Sequence, residues 1–439
     1  MTPAARLQAT LDLLTEIEKT PRPADALASA YFRARRYIGS HDRGAISVML
    51  YDILRHHARL GWWIDKNGGE NNPRAQVIAY LALVEKKPSR QIEPPFSGGK
   101  FAPAAMNEAE KKLLRAFDGY TIEHSDMPDE VQAECPAWAA GILKTRFGKD
   151  FMREMRALLE PAPLDLRVNQ LKTTREEMLT ALKQAGIKAE PGKLSKLAIR
   201  VRERPNLAAL SVLKQGLLEI QDEGSQLVAA LLDAKPGERV ADFCAGAGGK
   251  TLAIAAQMQN KGRITASDVL EKRLARSTER FRRAGVHNIE TKPIKDERDP
   301  WVKKHKGDFD RVLVDAPCTG TGTWRRNPDA RWRGEEDARL QALGPGLEAL
   351  VKLQAEILDS AARLVKPGGR LVYATCSLLP EENEKQIERF LATHADFRVI
   401  PYSETLTGIR SAHPDYLMLT PAKHGTDWFF AAAMERNRP

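Results

Sequence analysis

The feature that most constrains this fold is an alternation of two textures. From about residue 220 onward, segments of strand character recur at 239–243, 263–267, 288–292, 309–314 and 370–375. Segments with helical spacing lie between them at 250–259, 271–284 and 347–365. Strands that alternate with helices are joined by crossovers, so they pair in parallel and need helices on both faces of the sheet.

The first half of the chain reads differently. Apolar residues recur at helical spacing through Leu7, Leu11, Leu14 and Ile17, and again through Val48, Tyr51, Ile53 and Leu54. Pro21 and Pro23 separate the first helix from the second, and the Pro- and Gly-rich run 88–103 marks a loop. Further helices are expected over 107–117 and 138–160. A small α+β pattern follows. It has strands at 164–170, 197–201 and 217–220, and a helix led by Thr173 and Thr174 and ended by Gly186. The expected domains are 1–128 (helical), 129–215 (small α+β) and 216–439 (the parallel sheet).

Composition narrows the class. With 439 residues, of which 42% are hydrophobic and 29% charged, the chain is neither a disordered polymer nor a disulfide-stapled miniature. No run approaches the roughly 20 apolar residues of a membrane helix, and MTPAARLQATLDLL lacks a secretory pattern, so no membrane partner is expected. The four cysteines form no CxxC pair, and no histidine sits at zinc-finger spacing. Free thiols in a reducing cytoplasm, and no metal, are expected. The net charge of +10 is uneven: residues 131–215 hold 16 basic against 9 acidic side chains. A basic surplus on one module is the footprint of a polyanion binder, although charge alone does not separate RNA, DNA and an acidic membrane.

The run 239–251, RVADFCAGAGGKT, sets a glycine-rich turn between a strand and a helix. Gly246, Gly248 and Gly249 let the backbone approach a ligand, and the helix start offers N–H groups. A P-loop would match at Gly249-Lys250-Thr251, but Cys244 stands where its first glycine is required. Gly246-x-Gly248 supplies only half of a dinucleotide fingerprint. Asp268 ends the next strand, about 20 residues past the turn, where an acid binds the ribose hydroxyls of an adenosine cofactor. Asp296 follows the third strand, a position suited to an adenine contact.

The fourth strand runs into Asp315-Ala316-Pro317-Cys318 and the fifth into Thr375-Cys376-Ser377. Both cysteines fall just past strand carboxyl ends, the ligand-binding edge of a doubly wound sheet. If these strands are neighbours, about 4.8 Å apart, the two thiols face one crevice.

These motifs resemble the Sun/Fmu family, the RNA cytosine-C5 methyltransferases of the RsmB, NOP and NSUN type. The family's D-x-C-A-A-P-G-G-K-T corresponds to 242–251, with Gly246 and Ala247 where alanine and proline are usual. D-A-P-C at 315–318, A-T-C-S at 374–377 and PEEN at 380–383 stand intact. GTDWFFAA at 425–432 resembles the family's closing G-x-D-G-F-F-x-A, with Trp428 for a glycine. The likeness spans roughly 130–435, and the helical region over 25–65 resembles the family's NusB-like domain.

The resemblance implies an α/β, Rossmann-like methyltransferase domain with a mostly parallel seven-stranded sheet, a small α+β RNA-binding module and a helical N-terminal domain. It implies S-adenosyl-L-methionine as cofactor, held by Cys244, Ala245, Gly246, Ala247, Gly248, Gly249, Lys250, Asp268, Asp296 and Asp315. It implies 5-methylcytosine formation in RNA, with 16S ribosomal RNA as the expected substrate and transfer RNA as the alternative. The rival from another class is a non-catalytic assembly factor. Cytosine C5 is a poor nucleophile until a thiolate adds at C6. The family assigns that attack to the T-C cysteine, here Cys376, and release of the product to the P-C cysteine, here Cys318. Asp315 would hold the cytosine N3/N4 edge, and Lys250 would lie near enough to lower a thiol pKa. DNA cytosine-C5 methyltransferases use the P-C cysteine as nucleophile, so these roles come from the resemblance and not from spacing. Arg325, Arg326, Arg331 and Arg333 interleave with Trp324 and Trp332 and are the candidate RNA contacts. A monomer is expected.

Overall fold

The computed structural model of the protein describes residues 1–20, 22–202, 210–332 and 346–438. The chain forms two compact units, Met1–Glu160 with Trp324–Gly344, and Pro161–Thr323 with Pro345–Pro439.

The first unit is helical. Its opening helix, Pro3–Lys19, starts where proline cannot donate an N–H anyway, and the Thr2 side chain accepts the Ala5 amide. Leu7, Leu11 and Leu14 are buried as their spacing requires. The next helix, Ala24–Ala34, begins directly after Pro23. The helix Ser40–Arg55 buries Ile46, Leu50, Ile53 and Leu54. Val48, expected on that stripe, is exposed, because the true stripe steps by four and three residues from Ile46 and leaves Val48 on the opposite side. The expected helix over 138–160 is divided into Ala137–Phe147 and Phe151–Ala157. Gly148, with φ +49°, bends the backbone between them.

The second unit contains two sheets. The smaller has strands β1 (Leu164–Val168), β2 (Ala189–Pro191), β3 (Ala198–Val201) and β4 (Leu218–Ile220), all antiparallel, in the order β2-β3-β1-β4. The helix Arg175–Gln184 covers it. Thr174 and Glu177 close a reciprocal capping box at that helix's start. Met178 and Leu182 pack on Leu166, Ile199 and Leu218.

The larger sheet has β5 (Arg239–Asp242), β6 (Arg263–Asp268), β7 (Ile289–Pro293), β8 (Phe309–Asp315), β9 (Val365–Thr375), β10 (Phe397–Ile400), β11 (Leu417–Leu419) and β12 (Phe429–Arg436). Seven strands run in the order β10-β12-β9-β8-β5-β6-β7, and β11 pairs with β12 as an eighth. The five from β9 to β7 are parallel, while β12 is antiparallel to its three neighbours. The parallel sheet expected from the alternation is present, and it is Rossmann-like as the resemblance implies. The chain enters it at β5, builds outward to β7, then crosses back to β8 on the other side of β5. That reversal opens a crevice at the carboxyl ends of β5 and β8.

Candidate active site

The glycine turn leaves β5 and starts the helix Gly249–Gln257. Gly246 and Gly248 have φ of +55° and +76°, a region that disfavours a side chain. A Cβ on Gly248 would also lie 2.5 Å from the Phe281 ring. The turn is pinned from several sides: Ala245 donates to the Ser267 carbonyl at 2.9 Å, and Gly246 donates to Asp268 Oδ2 at 2.7 Å. Asp268 Oδ1 accepts the Leu270 amide at 2.8 Å. Each carboxylate oxygen still has a lone pair, and no side chain caps the helix start beside it. An acid with spare acceptor capacity next to uncapped backbone donors fits the ribose and amino-acid ends of S-adenosyl-L-methionine.

Two side chains that sequence reading did not single out support this turn from elsewhere in the chain. Arg167, buried on β1, donates to the Gly249 carbonyl at 2.8 Å, and burial pulls its pKa down to about 10. Arg280 donates to the Ala247 carbonyl while paired with Glu219 on β4 at 2.9 Å. With alanine at 247 in place of the usual proline, the turn is thus tied through its carbonyls to the small sheet. Only an inward-facing arginine in a short strand hinted at this. Cys244 lies within the same turn. Burial, and then the charges of Asp242, Asp268 and Asp315, push its thiol pKa well above the ordinary range, so it rests protonated.

Lys250 and Asp315 meet across the crevice, with Nζ 2.6 Å from Oδ2. Burial alone would lower the Lys250 pKa; the Asp315 carboxylate and the Cys376 sulfur outweigh it and raise the pKa. The Lys250 ammonium also lies 5.7 Å from the centre of the Phe429 ring. Beneath them Asp242 is buried and accepts the Thr251 hydroxyl at 2.7 Å. Its second oxygen has no partner among the described residues, and burial lifts its pKa to about 7. Asp296 follows β7 half-buried, and its carboxylate accepts the Arg298 amide at 2.9 Å.

Strands β8 and β9 are adjacent and parallel, with Asp315 level with Ala374. Their loops bring Cys318 Sγ to 3.6 Å from Cys376 Sγ. Gly322 makes this approach possible, since a Cβ there would sit 2.7 Å from the Cys376 carbonyl oxygen. The Gly322 amide instead donates to that oxygen at 2.9 Å. Contact with Cys376, then burial, then the charges of Cys376 and Glu382 push the Cys318 thiol pKa well above the ordinary range. Glu382, within the PEEN run, is fully buried between the two loops and accepts from Thr319, Gln354 and Ser377.

The arginine–tryptophan run begins at Trp324, the residue at which the chain re-enters the first unit. It is built into the helical unit, and two of its arginines are corrected as RNA contacts. Arg331 is 1% exposed; it donates to the carbonyls of Glu134 at 3.0 Å and Leu158 at 3.2 Å and lies over Trp324. Arg325 is buried as well, and its carbonyl accepts from Arg55. Trp324 is buried, and Trp332 donates to the Leu54 carbonyl at 3.0 Å. Guanidinium groups enclosed by the unit's own helices cannot pair with phosphates. Arg326 is half-buried. Arg333 lies outside the described residues.

Among the described residues no helix is long and apolar enough to cross a membrane, and no group of three or more His, Cys, Asp or Glu side chains could hold a metal ion.

Comparison with known proteins places the chain. A family profile described as 16S rRNA methyltransferase RsmB/F matches residues 229–435, and the ferredoxin-like domain of RsmF/B-like methyltransferases matches residues 135–208. Ribosomal RNA small subunit methyltransferase B of Pectobacterium atrosepticum is 31% identical over 416 residues, 92% of each chain. The protein of the same name from Photorhabdus laumondii is 35% identical over 304 residues, 69% of this chain and 66% of that one. The crystal structure of PH0851 covers 99% of both chains with TM-score 0.79 and 28% identity. A methyltransferase homologue from Pyrococcus horikoshii covers 70% of this chain and 97% of its own, with TM-score 0.58 and 29% identity. On its motifs, its sheet and these relatives, the chain belongs to the RsmB/F family of S-adenosyl-L-methionine-dependent methyltransferases.

Proposed function

We propose that this chain methylates C5 of a cytosine in small-subunit ribosomal RNA through a covalent bond between Cys376 and the pyrimidine. The observation that carries this reading is the 3.6 Å separation of the Cys318 and Cys376 sulfurs at the carboxyl ends of adjacent parallel strands. The 16S rRNA description of the matching family supports the substrate.

When bound, S-adenosyl-L-methionine supplies an electrophilic methyl group. Asp268 and the turn from Cys244 to Lys250 hold it, with Asp296 and Asp315 alongside. The Cys376 thiolate forms an S–C6 bond and pushes electron density to C5, which makes that carbon nucleophilic. Asp315 holds the N3/N4 edge of the base, and Lys250 stabilises negative charge beside the thiol. After methylation the C5 proton leaves to Cys318, the S–C6 bond breaks, and the C5=C6 double bond returns. The thiol pair suits this order. Cys318 is held protonated chiefly by its contact with Cys376. Once Cys376 is committed to carbon, that contact ends; Cys318 passes its proton to water and then, as thiolate, takes the C5 proton. The basic 131–215 segment supports RNA binding, and the chain acts as a metal-free monomer.

The test is transfer of a labelled methyl group from S-adenosyl-L-methionine to 16S rRNA and to tRNA, each lacking the modification, followed by bisulfite sequencing. Label in 16S rRNA at a bisulfite-resistant cytosine is expected. Label only in tRNA would reassign the substrate, and no label in any RNA would leave the assembly-factor reading.

A further inference from the structure

The buried carboxylate of Glu382 is where the two cysteine-bearing loops meet. Its Oε1 accepts the Thr319 amide at 2.9 Å and the Gln354 side-chain amide at 2.8 Å. Its Oε2 accepts the Thr319 hydroxyl at 2.5 Å and also the Ser377 hydroxyl. Thr319 directly follows Cys318, and Ser377 directly follows Cys376. Gln354 adds a third segment, the helix Leu347–Ala362, and donates to the Pro317 carbonyl as well.

A carboxylate accepts and never donates, so four converging donors match it and would match no neutral amide. Burial at 0% exposure makes the arrangement consequential, since an enclosed carboxylate is tolerated only when its lone pairs are filled. The backbone around it is fixed too. Tyr373 donates to the Glu382 carbonyl at 2.8 Å, and Asn383 donates to the Ser377 carbonyl at 2.7 Å.

We propose that Glu382 is the positioning residue of the two-thiol site: its carboxylate clamps the residue that follows each cysteine and so fixes the two sulfurs toward one shared point. The proposal rests on the reading that both cysteines act in one reaction. Glu382 acts on the sulfurs through its hydrogen bonds to Thr319 and Ser377. The same carboxylate charge is among the causes that keep the Cys318 thiol protonated.

The test compares the full-length chain with Glu382→Gln and Thr319→Val. Glutamine keeps the size but turns an NH2 group toward two of the donors. Valine removes one donor and leaves the carboxylate. The first readout is kcat and KM for labelled methyl transfer to 16S rRNA. A displacement of about 1 Å at the thiols lowers kcat about 100-fold in Glu382→Gln, with KM for S-adenosyl-L-methionine unchanged because the glycine turn is untouched. Thr319→Val falls between this variant and the parent. The second readout needs no RNA. Diamide, a diazene, oxidises the two thiols to one disulfide and takes up their two protons and two electrons as the hydrazine. Mapped by mass spectrometry, the 318–376 disulfide forms readily in the parent. It is lost over the same period in Glu382→Gln. A folded Glu382→Gln with parental kcat and parental disulfide formation overturns the proposal. Should Glu382→Gln fail to fold, parental values for Thr319→Val on both readouts overturn it. If the parent itself transfers no methyl group to RNA, the proposed function falls, while disulfide formation still decides the role of Glu382.

Discussion

Lys250 Nζ lies 2.6 Å from Asp315 Oδ2, joining the helix that leaves the glycine turn to the end of β8. This ion pair ties the cofactor half of the crevice to the half that carries the thiols. The cation is raised in pKa by Asp315 and by the Cys376 sulfur, so it stays charged throughout the neutral range.

The two cysteines should fail differently. On the proposed mechanism Cys376→Ala lacks the nucleophile, and labelled methyl transfer to RNA is expected to drop to background. On the same mechanism Cys318→Ala still forms the S–C6 bond but lacks the base that completes release. A protein–RNA adduct that survives denaturing electrophoresis should accumulate in it. A Cys318→Ala enzyme that turns over freely without adduct would refute the release role.

Asp242 sets a pH dependence on stability. Burial lifts its carboxyl from 3.8 to about 7. As pH rises through that window, the unfolded chain ionises while the folded one remains protonated. The contribution of Asp242 to stability is therefore full below about pH 3.8, falls as pH rises to about 7, and levels off above it. Asp242→Asn removes this linkage. Its stability relative to the parent should improve between acid and neutral pH, by on the order of a few kcal/mol in urea titrations. A difference that stays constant with pH would count against the buried-carboxyl account.

Arg331 is expected to matter for folding and not for RNA. Arg331→Met leaves the carbonyls of Glu134 and Leu158 without their donors and removes the cation over Trp324. A loss of about 3 kcal/mol, read as a lower Tm, is expected. RNA affinity of the folded variant, measured by filter binding, should match the parent; a clear loss of affinity without a Tm change would restore Arg331 to the RNA surface.

Gly248→Ala should damage the cofactor turn. Its φ of +76° and the 2.5 Å approach of a Cβ to Phe281 both oppose a side chain. The expected cost exceeds about 1 kcal/mol, with weaker S-adenosyl-L-methionine binding by calorimetry. Gly237→Ala is the control: its φ is +93°, but a Cβ there meets nothing within 4 Å, so it should be strained without touching cofactor affinity.

How much of this was legible beforehand varies by residue. The strand at 309–314 was readable because its buried stretch Val312-Leu313-Val314 is a continuous apolar run, as fully covered parallel strands are, and the glycine turn because positive φ selects glycine. Strands β10 and β11 were not read, since four and three residues carry too little pattern to stand out from a loop. The Arg and Trp run after Cys318 looked like a solvated basic surface. Alternating cations and aromatics carry the same local signal whether they face water or fill a helical core, and Arg331 and Trp324 fill one. Glu382 stood within a recognised motif but showed no role, because its partners Thr319 and Gln354 are distant in sequence.

The sequence by itself determined the alternation of strands and helices from β5 to β9, the glycine turn and the placement of Cys318 and Cys376 just past strand ends. Those are local matters of periodicity and backbone freedom, and they survive in a one-dimensional reading. Only the tertiary structure decided that β8 and β9 are neighbours, that a buried carboxylate holds their loops together and that Arg167 reaches the cofactor turn from another sheet. Those relations depend on which distant segments pack and which charges are removed from water, and no local pattern encodes them.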